Sequence, residues 1–146
     1  MGKTRGADAA RRLVDKAIYP PSVARQQVPP EECEETQCSV GLGPDDKIIG
    51  RFVLWQDRYM VEFALMQFTR VGGRWVEVFR IDTEHDKIHK HQLRRGSPDT
   101  QGTVTDLVEI PPDEGWRVVD KGYTNALSII QNEWRENFRR WRGDTQ

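Results

Sequence analysis

The spacing of apolar positions divides the chain into stretches of different character. Over residues 7–18, Ala10, Leu13, Val14, Ala17 and Ile18 recur at helical intervals, with Asp8 placed to cap and Pro20-Pro21 placed to stop. A short amphipathic helix is predicted there. From residue 20 to about 46 the chain turns to Pro, Gln, Glu, Ser and Gly with almost no aromatic residues, a run too long for an ordinary loop inside a compact domain. An extended, partly disordered arm is expected, so that residues 1–46 form an N-terminal helix and arm, and residues 47–146 a single domain.

From residue 47 to about 93 the apolar residues become β-branched and aromatic, and turn residues cut the run. Strands are predicted at 48–55, 58–71, 74–83 and 88–93. Gln56-Asp57 separates the first two, Gly72-Gly73 supplies the positive φ angles of a two-residue hairpin, and Asp86-Lys87 precedes the fourth. The second strand is apolar on both faces, with Met60, Ala64, Met66 and Phe68 on one and Tyr59, Val61, Phe63 and Leu65 on the other. Such a strand belongs at the centre of a sheet covered on both sides. Residues 96–115 carry turn formers around a short extended piece at 104–110. Thr124 or Asn125 then caps a helix running to Arg142, whose stripe is Leu127, Ile130, Trp134, Phe138 and Trp141. The expected fold is α+β: an antiparallel meander of four to five strands, a long C-terminal helix packed on the sheet, and a short N-terminal helix.

Composition narrows the class. The 146 residues carry 22 Lys+Arg against 23 Asp+Glu, and the mean hydropathy is -0.74. There is no global basic field of the kind that marks most nucleic-acid binders. Charge is nevertheless segregated: residues 31–46 and 96–115 are acidic, and the stretch 47–95 between them is basic, which permits local anion binding. No apolar run approaches the ~20 residues of a membrane span, and the N-terminus leads into no signal-peptide core. A cytoplasmic protein without membrane association is expected. Cys33 and Cys38, with four residues between them, lack the second half of a structural zinc site and do not have the redox spacing, so they are expected to be free thiols; a metal shared with distant histidines is the exception to consider.

The chemistry concentrates in one string. All three histidines, His85, His89 and His91, fall within seven residues, after Arg80, Asp82 and Glu84. His89 and His91 are two apart, which in a strand aims both at one face, roughly 7 Å apart. A two-residue turn at Asp86-Lys87 would set Glu84 beside His89 and Asp82 beside His91, with Arg80 on the same face. Carboxylates orienting imidazoles next to a guanidinium are what acid–base cleavage of a phosphodiester needs, with no metal and no cofactor. A three-residue turn would instead gather the three histidines with Ile81 and Thr83, as in a metal site. Ordinary cross-strand pairing at a solvated strand end is the plain alternative. The even-length turn is favoured, because Phe79 and Ile81 occupy the odd face and charged imidazoles there would lose their hydration. A concave opening above the pair is expected. Lys90, Arg94 and Arg95 flank the histidines and are candidates for holding phosphate. Arg135, Arg139, Arg140 and Arg142 crowd the end of the last helix, where cations complement its dipole.

The string R-x-D-x-x-H-x-x-x-H-x-H, following the strand Trp75-Val76-Glu77-Val78-Phe79-Arg80, resembles the signature of TumE-type toxins of bacterial toxin–antitoxin systems and of related small prokaryotic β-meander proteins. A C-terminal helix like 126–142, with its Asn132-Glu133-Trp134 step, is part of the similarity, which covers roughly residues 47–142. It implies Arg80, Asp82, His85, His89 and His91 as matching positions, a cytoplasmic toxin and a protein antitoxin as partner. Together with the acid–base reading it points to an RNA-cleaving enzyme. A non-catalytic module, whose acidic arm and basic helix engage another protein, is the second reading.

Overall fold

The computed structural model describes residues 21–84 and 86–144. The helix expected at 7–18, and His85, lie outside them. The chain runs through β1 (Cys33–Gly43), β2 (Asp46–Trp55), β3 (Tyr59–Val71), β4 (Arg74–Glu84), β5 (Lys87–Gln92), β6 (Thr103–Glu109) and α1 (Gly115–Arg142). The strands form one sheet in sequence order, each antiparallel to the next. The expected α+β meander is therefore present, but with six strands rather than four or five. The added strand is β1: residues 33–43 are extended, as expected of the arm, yet they pair with β2 from Cys33↔Trp55 to Gly43↔Asp46. Its half-buried and buried positions, Thr36, Cys38, Val40 and Leu42, alternate with exposed ones, so one side of this edge strand leans on the core.

Turn chemistry sets the hairpins. Gly72 and Gly73 hold φ of 58° and 79° between the paired Val71 and Arg74, the mirror-image turn that matches the twist of two joined strands. Gln56 and Asp57 take the same left-handed region, φ 56° each, at the β2–β3 corner. In β3, the consecutive residues Phe63, Ala64 and Leu65 are all buried, so the middle of the strand is covered on both faces.

The helix starts at Gly115, ten residues before the expected Asn125. It lies across β3, β4 and β5. Its buried line runs Trp116, Val119, Gly122, Ala126, Ile130, Asn137 and Trp141, while Leu127, Trp134 and Phe138 flank it half-buried. Gly122 belongs to that line because a Cβ there would stand 2.3 Å from Ile88 Cδ1; the helix sits close to β5 at this point. Gly143, at φ 98°, ends α1 by donating its N–H to the carbonyls of Arg139 and Arg140. Residues 21–32 pack on the helix start: Trp116 Nε1 donates to the Val23 carbonyl at 2.8 Å, and the Trp116 ring stacks on Trp55 at 6.0 Å.

Asp120, half-buried on α1, has its carboxyl pushed by burial from the ordinary 3.8 up to about 7. A carboxyl whose folded value is raised binds a proton that the unfolded chain has already released, so stability falls as pH rises between about 4 and 7. Asp120→Asn is expected to flatten that decline and to raise stability at pH 8 by about 1–3 kcal/mol, as read by urea unfolding at pH 4.5 and pH 8. An unchanged pH dependence would contradict the burial of this carboxylate. No helix of the described residues is long and apolar enough to cross a membrane.

Candidate functional site

The β4–β5 register decides which of the string's residues share a face. Arg80 pairs with His91, Asp82 with His89 and Glu84 with Lys87, so two positions, 85 and 86, separate the paired ends. The turn is even in length, as expected, but lies one residue earlier, which moves β5 by two residues against β4. Because side chains alternate, a shift of two preserves the faces. Arg80, Asp82, Glu84, Lys87, His89 and His91 share one side; Ile81, Thr83, Ile88, Lys90 and Gln92 share the other, under α1.

His91 is the buried member, 1% exposed. Its Nδ1 lies 3.0 Å from the Gln101 carbonyl and its Nε2 lies 3.1 Å from Asp82 Oδ1. The second Asp82 oxygen accepts from Arg80 Nε at 3.1 Å. Arg80 donates further to Glu77 Oε2 at 2.8 Å and to the Thr100 carbonyl at 3.3 Å. This guanidinium is therefore committed to the protein, and Arg80 holds Asp82 in place rather than offering charge to a ligand. The loop between β5 and β6 closes over this side of the sheet through Thr100 and Gln101.

His89 has a different partner from the one expected. Glu84 does not take it; its Nδ1 lies 2.8 Å from Asp106 Oδ1 on β6, and Lys87 Nζ donates to the other Asp106 oxygen at 3.0 Å. Those two hydrogen bonds, Lys87 first and His89 second, hold the Asp106 carboxyl below its ordinary value, and Asp106 in turn raises the Lys87 ammonium. The rings of His89 and His91 stand 6.0 Å apart at 71°. Glu84 approaches the inner pair instead: one carboxylate oxygen of Glu84, one of Asp82 and a ring nitrogen of His91 lie within 4.8 Å of one another.

The expected phosphate cluster is not assembled. Lys90 projects from the opposite side of β5, and Arg94 and Arg95 lie past its end, with the Arg95 guanidinium 5.9 Å from the Trp141 ring. The two cavities described, about 490 Å³ and 60 Å³, are lined by other residues; the larger lies between Arg25, Val28, Cys33, Val61 and Asp86. Cys33 and Cys38 are free thiols on β1, raised by burial first of all, and three strands separate β1 from β5. At roughly 4.8 Å per strand that rules out a metal shared with the histidines.

Comparison with known proteins finds no matching family model, no matching curated protein and no matching solved structure. The site's chemistry is therefore argued from its own geometry. Sequence reasoning did not reach Asp106, Lys87 or Glu77. Asp106 occupies an expected extended piece, but nothing local to that piece names β5 as its neighbour.

Proposed function

We propose that this protein is a toxin-like, RNA-cleaving enzyme of bacterial type in which His89 moves the proton. The observation that supports this most is the pair His89–Asp106, 2.8 Å apart, next to a second imidazole that is itself held by a carboxylate. With Nδ1 on Asp106, Nε2 is the nitrogen left to face a substrate. A base there would take the proton of a ribose 2′-hydroxyl, whose oxygen attacks the neighbouring phosphorus and expels the 5′-oxygen, which takes a proton from water to leave as a hydroxyl, with a 2′,3′-cyclic phosphate on the other fragment. His91, with both ring nitrogens engaged, and Asp82, Arg80 and Glu77 behind it are positioning residues. Lys87, bound to the same Asp106 carboxylate as His89, supplies positive charge beside it, and Arg94 and Arg95 supply contacts to the RNA backbone outside the site. The resemblance to TumE-type toxins supports the same reading.

A second reading, a non-catalytic protein-binding module, is favoured by β6. This edge strand is exposed along all seven residues, and Val104, Leu107 and Val108 are large apolar side chains left in solvent. An incoming strand would pair along its free edge. Under the first reading that partner is the antitoxin, and it would cover Asp106 as it docks.

Induced expression in a bacterial host separates the two. Wild type is expected to arrest growth and the purified protein to cleave RNA, with His89→Ala relieving the arrest and lowering the cleavage rate by about a hundredfold or more. A wild type that is tolerated and leaves RNA intact supports the binding module. Arrest that persists undiminished in His89→Ala removes this histidine from the explanation.

A further inference from the structure

We infer that Asp82, Glu84 and His91 bind a divalent first-row transition ion such as Zn²⁺ or Mn²⁺. The inference stands on the geometry of these three side chains and does not require that RNA be cleaved.

The argument begins at His91. Its Nδ1 faces the Gln101 carbonyl at 3.0 Å, and a carbonyl only accepts, so Nδ1 carries a hydrogen. In a neutral imidazole Nε2 then presents a lone pair. What it meets at 3.1 Å is Asp82 Oδ1, a carboxylate oxygen that also only accepts. Two acceptors at that distance are joined either by a second ring proton or by a cation that both can bind. A metal-binding histidine characteristically donates its other ring N–H to a carbonyl, the arrangement made by Gln101.

The distance fits the cation. Around an ion with bonds of ~2.1 Å, neighbouring ligand atoms lie ~3.0–3.4 Å apart, which matches the separation of Nε2 and Oδ1. Arg80 occupies Asp82 Oδ2 and leaves Oδ1 directed at the imidazole. Glu84, with its carboxylate within 4.8 Å of both, stands at the exposed end of β4, where a rotamer change on the order of 1–2 Å brings an oxygen onto the ion. Glu77 and Asp82 place two carboxylates on the Arg80 guanidinium, and Glu84 adds a third beside Asp82 and His91. One imidazole with two carboxylates is a donor set for Zn²⁺, Mn²⁺ or Co²⁺ more than for Mg²⁺, which prefers oxygen and retains its water. The buried His91 side is closed by the β5–β6 loop, and the Glu84 side is open, so water or a phosphate oxygen completes the coordination there.

The test is calorimetric titration of the full chain, carrying no histidine tag, with ZnCl₂, MnCl₂ and MgCl₂. One Zn²⁺ or Mn²⁺ per chain is expected, at micromolar affinity or tighter, with Mg²⁺ far weaker. His91→Ala and Glu84→Gln are each expected to weaken binding by about tenfold or more. Glu84→Gln, at an exposed position, keeps the experiment decisive if His91→Ala fails to fold. The Cys33→Ser/Cys38→Ser double variant is expected to bind as wild type does, and a loss of binding there would assign the ion to the thiols. Absence of Zn²⁺ and Mn²⁺ binding at 100-fold excess over protein, or binding indifferent to both site variants, overturns the inference and leaves Asp82–His91 joined by a proton. RNA cleavage is assayed separately, so a protein that binds the ion and cleaves nothing refutes the enzyme and not the ion site.

Discussion

Gly102→Ala is expected to destabilise the protein by about 2–4 kcal/mol and to release the histidine side of the sheet with it. Gly102 holds φ 65°, and a Cβ there would lie 2.2 Å from the Gln92 carbonyl oxygen, 2.8 Å from its carbon and 3.1 Å from Leu93 Cα. All three are backbone atoms, so no rotamer change can relieve the contact; the loop from Leu93 to Gly102 has to lift off β5. Thr100 and Gln101 stand next to Gly102, and their carbonyls are the acceptors for Arg80 and His91. Lifting them unties the two side chains that organise the site. Gly96→Ala is the control: it has a positive φ of 79° as well, but nothing within 4 Å of its Cβ, so it is expected to cost only about 1 kcal/mol. Denaturant unfolding of both variants checks the contrast. Equal losses would mean that the close approach at Gly102 contributes nothing.

The same local economy explains which features were legible in the sequence. Gly72-Gly73 announces a hairpin because two positive φ angles have one common use between apolar strands, and the turn is where the pattern placed it. The parity of β4 against β5 was legible too: Phe79 and Ile81, 2% and 0% exposed, have to face α1, which sends Asp82, His89 and His91 the other way. The offset was not legible. His85-Asp86 and Asp86-Lys87 are both polar pairs, and a slip of two residues turns no apolar side chain to the other face, since Ile88 lies on the α1 side in either register. β1 was hidden although Thr36, Cys38, Val40 and Leu42 alternate with exposed positions, because none of the four is aromatic and Gln37, Ser39 and Gly41 fill the places between, the composition of an arm. The first third of α1 was hidden by Gly115 and Gly122, which look like loop residues until Ile88 is known to press against the helix. Asp106 was unreachable for a related reason: its meaning comes from β5 across the ladder.

The second large effect concerns the polar contacts that join α1 to the sheet. Gln67 and Asn137, both 0% exposed, meet between β3 and the helix, where Asn137 Nδ2 donates to Gln67 Oε1 at 3.0 Å. Gln67 Nε2 donates to the Trp134 carbonyl at 2.9 Å, and Gln92 Nε2 reaches the Asn137 carbonyl at 3.2 Å. Asn137→Leu keeps the volume and strands the Gln67 oxygen without its donor; the expected loss is about 2–4 kcal/mol, more than the hydrogen bond itself is worth. Gln67→Leu strands the Asn137 amide in the same way and is expected to cost a similar amount. Changing both replaces a satisfied polar pair by an apolar one of like shape, so the double variant is expected to lie within about 1 kcal/mol of wild type, with a coupling of several kcal/mol between the sites. Urea unfolding of the three variants measures that coupling, and additive losses would refute it. Recovery in the double variant would show that this pair adds little net stability and that its role is positional. The Gln67 side chain hydrogen-bonds at both ends, to the Asn137 amide and to the Trp134 carbonyl one turn earlier, which holds α1 at one translation along β3. That translation places Trp141 where its carbonyl accepts from Arg95 N at 2.8 Å, at the start of the loop that closes over His91.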